Sequence, residues 1–283
     1  MKWKITSDST CDLSPAQLAA WDIDLLPLQV SMGGRNFKDQ VDVFPDDIYA
    51  HVDGGGQLPA TAAINPAEYD AFFRRQLQDH DFVIHLCLSS DFSSCYQNAC
   101  AAAAELDNVY VVDSRNLSTG HGHLVLAAAE MAAAGQGAPE IVERLHSLSP
   151  LVDASFILSR LDYLRKGGRC SSVAALGANV LKLRPSILVR NGKMGVSKKY
   201  RGPFAKCMCE YIKDRLNAAG EVDLHRVFVT HSGLERPLVD QAVDTVRSLR
   251  QFDEVCVTRA GCTISSHCGP GCIGVLFIRK QQY

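Results

Sequence analysis

The chain has 283 residues, of which 47% are hydrophobic and 21% charged; this excludes a disordered chain and fits one large globular domain or two small ones. Its 29 Lys and Arg stand against 31 Asp and Glu, so no basic surplus points to nucleic acid or a membrane surface as the main partner. The opening MKWKITSDST lacks the apolar core of a signal peptide, and no apolar run is long enough to span a bilayer, so a cytoplasmic protein is expected. The 11 cysteines, odd in number and scattered, are expected to be mostly reduced, with Cys87, Cys207 and Cys256 in apolar contexts.

The first half alternates strands and helices. KWKIT reads as a strand, and SPAQLAAW as a helix capped by Ser14 with Pro15 at its first position. IDLLPLQVSM reads as extended, with Gly33-Gly34 as a turn. PDDIYAHV and NPAEYDAFFRRQLQ follow as helices, then the strand FVIHLCL, the helix CYQNACAAAAEL, the strand VYVVD and the helix LVLAAAEMAAA, stopped by Gly135. GQGAPEIVERLHSLSP is a further helix. Such alternation predicts a parallel sheet covered on both faces.

After Pro150 the pattern changes. SFILS reads as a strand, LDYLRKGGR as a helix end and turn, and SVAALGANVLKL as a helix. PSILVRNGKMGVSKKY reads as a hairpin turning at Asn191-Gly192. A helix from about Pro203, the strand RVFVTHS, the helix PLVDQAVDTVRSL and the strands EVCVTR and CIGVLFIRK complete the chain. The expected fold is α/β with two domains: residues 1–150 as a parallel-sheet α/β/α domain, and residues 151–283 as a two-layer domain with a mixed sheet.

Polar chemistry collects where strands end. LSSDFSSCYQNA, residues 88–99, sits between a strand and a helix, where an open parallel sheet binds ligands. Ser90, Asp91 and Ser93 are preferred helix caps. The same turn could also hold a carboxylate or phosphate on helix N–H groups and the Ser93 hydroxyl. SDSTCDL, VVDSRNLSTGHG and LPATAAINP, with the free hydroxyl of Thr61, are further polar turns that could face one shared site.

The motifs SDSTCDL, LPLQVSMGGRNFKD, PATAAINPAEY, LSSDFSSCYQNA, VVDSRNLSTGHGHLVL, LDYLRKGGR, LKLRPSILVRNGK, KKYRG and SSHCGPGCIGVLF stand in the order found in the DegV family, which the chain resembles over essentially its whole length. The resemblance implies a bacterial fatty-acid-binding protein. It would hold a long acyl chain in an apolar tunnel and present the carboxylate to a separate fatty-acid kinase, which makes acyl phosphate for phospholipid synthesis. It implies carboxylate binding by Thr61, Ser93 and His267, pocket roles for Arg169, Ala62 and Phe92, and kinase docking at Arg201. No cofactor other than the bound fatty acid is implied, no catalytic residue, and a monomer by default. The chain departs from the family at Asp91 and Ser94, where glycine is usual, and at Cys95 and Cys268, where small residues or Thr are usual.

Two other readings use some of the same residues. Ser93, Asp113 and His267 could form a hydrolase or acyltransferase triad, although the Gly-x-Ser-x-Gly elbow is absent. Cys262, His267, Cys268 and Cys272 could ligate a metal, but they lack the paired short spacings of zinc sites.

Overall fold

The computed structural model describes residues 2–175 and 183–280. Strand β1 (Trp3–Asp8) ends in a 3-10 turn (Ser9–Cys11) and is followed by helix α1 (Pro15–Ala20). α1 begins at Ser14, whose hydroxyl accepts the Gln17 N–H, with Pro15 at the first position, as the sequence predicts. Strands β2 (Asp24–Leu26), β3 (Gln29–Met32) and β4 (Arg35–Lys38) precede helix α2 (Pro45–Asp53). Then come β5 (Ala60–Ala62), α3 (Pro66–Gln76), β6 (Phe82–Cys87), α4 (Cys95–Ala103), β7 (Val109–Asp113), α5 (Ser118–Ala133) and α6 (Ala138–Leu148).

The remainder is β8 (Val152–Ile157), α7 (Asp162–Gly167), α8 (Ser171–Ala174), β9 (Leu183–Arg190), β10 (Lys193–Arg201), α9 (Phe204–Asn217), β11 (Val222–His231), α10 (Arg236–Leu249), β12 (Glu254–Arg259), α11 (Cys262–Cys268) and β13 (Ile273–Arg279). Of the helix expected over SVAALGANVLKL, residues 176–182 lie outside the described residues. Among the described residues, no helix is long and apolar enough to cross a membrane.

A four-stranded parallel sheet has the order β2-β1-β6-β7, and a six-stranded mixed sheet the order β10-β9-β8-β13-β11-β12. In the second, only β11 and β12 run parallel; its other pairings are antiparallel. A third, three-stranded antiparallel sheet, β4-β3-β5, has no counterpart in the sequence reading.

Side-chain alternation explains the layering. In β6, Ile84 and Leu86 face the cluster shared with α5 and α6, whereas Val83 and Cys87 face α3 and α4. In β13, Leu276 joins the α5 side, whereas Ile273, Val275 and Phe277 pack with α9 and α10. Helix α5 is therefore sandwiched between the two large sheets, which is why it is apolar nearly all round. Gly122 lets it settle: a Cβ there would meet the Cys11 carbonyl oxygen at 2.7 Å. The β9–β10 hairpin turns at Asn191-Gly192. Its tip is fastened to the turns after β6 and β7: Ser89 Oγ donates to the Gly192 carbonyl at 2.9 Å, and Arg115 donates to that of Asn191.

Candidate functional site

A cavity of ≈ 190 Å³ lies beside the N-terminal end of α5, against Phe156 and Leu276 of the mixed sheet and Leu88 and Phe92 of the β6–α4 turn. Leu28, Leu88, Leu117, Phe156, Leu164 and Leu276 supply an apolar wall. The structure brings Thr61, Ala62, Phe92, Ser93, Arg169 and His267 onto the wall of this one cavity.

Thr61 is not a turn residue. It sits in the short strand β5, paired with Val30 of β3. A strand of three residues gives no period to read, so sequence alone sees only the turn around it. Thr61 Oγ1 lies 2.9 Å from His267 Nε2.

Ser93 stands just before Ser94, the N-cap residue of α4, whose side chain makes no capping hydrogen bond. Ser93 Oγ accepts the Cys95 N–H at 3.3 Å, at the start of α4, and donates to Cys95 Sγ at 3.2 Å. The same residue lines the cavity. Asp91 is paired with Arg115 at 3.0 Å and Lys193 at 3.7 Å and is not on the cavity wall.

His267 rides on α11, a helix the sequence reading did not assign. Gly269 and Pro270, just past its end, are the stop signal that could have revealed it. Its first turn hangs from two buried aspartate side chains. Asp12 accepts the Gly261 N–H at 2.8 Å, and Asp39 accepts those of Cys262 and Thr263 at 2.7 and 3.1 Å. These acids occupy SDSTCDL and NFKD, so two motifs far from His267 position the helix that carries it. Burial raises the pKa of both. Asp12 is pushed up to about 8, with hydrogen bonds from Ser118 and Gly261 opposing the rise and the charges of Asp39 and Asp8 adding to it.

Around the imidazole the packing is close. A Cβ on Gly167 would meet His267 Nδ1 at 2.4 Å, so the first glycine of RKGGR is there for contact. Nδ1 is buried with no hydrogen-bond partner. Burial, and secondarily the charge of Arg169, push the His267 pKa down to about 4. His267 is therefore neutral at neutral pH, and Arg169, exposed at the rim with Nη1 donating to the Gly167 carbonyl at 2.8 Å, supplies the positive charge. Neutral imidazole and hydroxyls can donate hydrogen bonds to an anion without a buried cation.

Two groupings that the sequence allowed are not assembled. Asp113 accepts N–H groups from Ser90 and Arg115 and lies 3.7 Å from the Arg115 guanidinium. His267 Nδ1 has no carboxylate to orient it, so Ser93, Asp113 and His267 do not form a triad. Cys268 and Cys272 line the cavity, but Cys262 turns its thiol to the Val43 carbonyl in another cluster. No group of three potential metal ligands exists among the described residues. Arg201 is exposed at the end of the edge strand β10 and is not part of the cavity wall. It stands roughly 24 Å along the strand from Met194, which lines the cavity.

A family model described as "Uncharacterised protein, DegV family" matches residues 2–280. The chain belongs to the DegV family. A DegV domain-containing protein of Caldanaerobacter subterraneus is 31% identical over 283 residues, covering 99% of each chain. Among solved structures, a DegV family protein from Thermus thermophilus, described in terms of fatty acid binding, superposes with a TM-score of 0.91 at 28% identity. That match covers 99% of this chain and 100% of the other. A protein of Thermotoga maritima described as a DegV lipid binding protein matches all of both chains with a TM-score of 0.88 at 28% identity. The two-domain α/β DegV fold, with one parallel and one mixed sheet, is thus shared along the whole chain.

Proposed function

We propose that this DegV protein is a non-catalytic fatty-acid carrier. The acyl chain lies in the cavity between the sheets, and the carboxylate is held at its rim by Thr61, Ser93 and His267 with Arg169 nearby. In this reading residues 1–150 supply the two hydroxyls and residues 151–283 supply the imidazole and the guanidinium. The observation that carries it is the convergence of Thr61, Ser93 and His267, from separate parts of the chain, on one apolar-walled cavity. Solved relatives described as binding fatty acid or lipid support the ligand class.

The energetics agree. Each buried CH2 contributes about 0.8 kcal/mol, so about a dozen suffice for tight binding after association costs. The cavity of ≈ 190 Å³ exceeds the ~150 Å³ apolar void that accepts a benzene molecule, so it holds an apolar segment of the chain. A long chain therefore needs more room, which the half-buried Met194 and Ile264 on the wall are placed to give.

The carboxylate end at the rim suits presentation to a fatty-acid kinase, with Arg201 in the docking face. Arg201 is exposed on β10 next to Lys198 and Lys199, which are also exposed, and such a face favours an acidic or phosphate-bearing partner. Native mass spectrometry of freshly purified protein, with extraction and identification of bound lipid, tests the carrier reading. One fatty acid per chain is expected. A protein free of lipid that also fails to take up added fatty acid would refute it.

A further inference from the structure

The turn after β6 and the tip of the β9–β10 hairpin are separate pieces of the cavity wall. The turn gives it Leu88, Phe92, Ser93 and Ser94, and the hairpin gives it Met194. Arg115, from the turn after β7, holds both pieces. Its Nη1 lies 3.0 Å from Asp91 Oδ2 and donates to Ser90 Oγ at 3.3 Å, and its Nη2 donates to the Asn191 carbonyl. Asp113 fixes the base of this grip, because its Oδ1 accepts the N–H groups of Ser90 at 3.2 Å and Arg115 at 2.9 Å. Lys193 reaches Asp91 from the hairpin side at 3.7 Å.

The backbone is shaped for the grip. Arg115 has φ 53°, in the left-handed region that a non-glycine residue enters at a cost. At Gly192 the hairpin comes so near that a Cβ would meet Ser89 Oγ at 2.6 Å, Arg115 Cζ at 2.7 Å and Asp91 Oδ2 at 2.8 Å. The ion pairs themselves are weak. The Arg115 side chain is 41% exposed and that of Lys193 75%, so salt screens them. The hairpin can also give way on its own side. β10 is an edge strand, and its register with β9 shifts between Val196 and Lys198. Residues 193–196 therefore form a short arm that ends at an irregularity in the ladder. Its far end is anchored where Ser172 Oγ accepts the Val196 N–H at 2.9 Å, and Met194 rides near its tip.

We propose that Arg115 is a clasp that keeps the cavity closed over its ligand, and that fatty acid enters and leaves when the hairpin tip parts from the Ser93-bearing turn. This rests on the fatty-acid reading above. Arg115 is not on the cavity wall, so it touches no part of the ligand. A clasp of this kind sets how often the cavity opens, in the empty and the loaded protein alike. Breaking it speeds entry and release together and leaves their ratio, the affinity, as it was.

The test is stopped-flow kinetics on delipidated protein with a fluorescent fatty acid, binding being followed on mixing and release by chasing with excess unlabelled acid. Arg115→Ala is expected to speed both steps about three- to tenfold, with the affinity held within about twofold. Asp91→Asn, which removes the ion pairs and keeps the hydrogen bond to Asn191, is expected to speed both by less. Release from the wild type should quicken as salt is added, and in Arg115→Ala that dependence should weaken. Unchanged thermal midpoints show that the variants are folded; should Arg115→Ala not fold, the rates of Asp91→Asn decide. Unchanged rates, or faster release with a matching loss of affinity, would overturn the clasp while leaving the carrier reading intact. Failure of the wild type to bind the acid would overturn both.

Discussion

Thr61→Val probes the head-group end with little change in shape. The substitution removes the 2.9 Å contact to His267 Nε2 and leaves the imidazole with neither nitrogen partnered, since Nδ1 has no partner already. The ring is neutral near pH 7, its pKa held at about 4 by burial and by Arg169, so it cannot compensate by gaining charge. A bound carboxylate would lose the Thr61 hydroxyl as well. Leaving one buried polar partner unmet costs about 1–3 kcal/mol, which is about a 5- to 150-fold loss of affinity. Calorimetric titration of delipidated wild type, Thr61→Val and Thr61→Ser with one fatty acid measures it. The Ser variant should stay near wild type and the Val variant should fall within that range. Wild-type affinity in Thr61→Val, with the ligand confirmed in the cavity, would refute the role of this hydroxyl.

Gly167→Ala should separate binding from stability. Alanine favours the helix by up to about 1 kcal/mol, but its Cβ would lie 2.4 Å from His267 Nδ1, so the ring must move; affinity should drop several-fold while the thermal midpoint holds, and unchanged affinity would show that the imbedded ring position does not matter. The pKa of Asp12 is raised to about 8 from about 3.9 in the unfolded chain. The native state therefore keeps a proton that the unfolded state loses, and the stability this gives, complete below about pH 4, fades as pH rises towards 8. Asp12→Asn carries no such proton, so wild type should lose stability relative to it over that window; a constant difference in thermal midpoint would contradict the assignment. Arg201→Ala should leave fatty-acid affinity unchanged and lower kinase-dependent phosphorylation of the bound acid, and an unaltered phosphorylation rate would remove Arg201 from the docking face.

The sheets were legible because their strands are long enough to carry a pattern. In FVIHLC every residue but the first is fully buried, and NGK between two extended runs marks its hairpin. What escaped was local and short. β5 has three residues and α11 seven, and both depend on distant partners: β5 on β3, and α11 on Asp12 and Asp39. Helix α5 begins at Ser118, six residues before the LVLAAAEMAAA run, because buried contacts override the weak helix formers Gly120 and Gly122. His121 meets Ser7 at 3.1 Å and His123 meets the Leu276 carbonyl at 3.0 Å. Thr61 and His267 were named from the motifs they share with a family; no spacing in the chain links residues 206 positions apart. The clamp on α11 was hidden for the same reason, although its aspartates lie in two of the motifs.

A crystal structure of the protein loaded with a saturated fatty acid tests the central claim most directly. The carboxylate is expected within hydrogen-bond distance of Thr61 Oγ1 and Ser93 Oγ, with the chain running inward past Ile264 and Leu276. A lipid bound elsewhere on the protein, or one lying in the cavity with its carboxylate turned away from both hydroxyls, would contradict it.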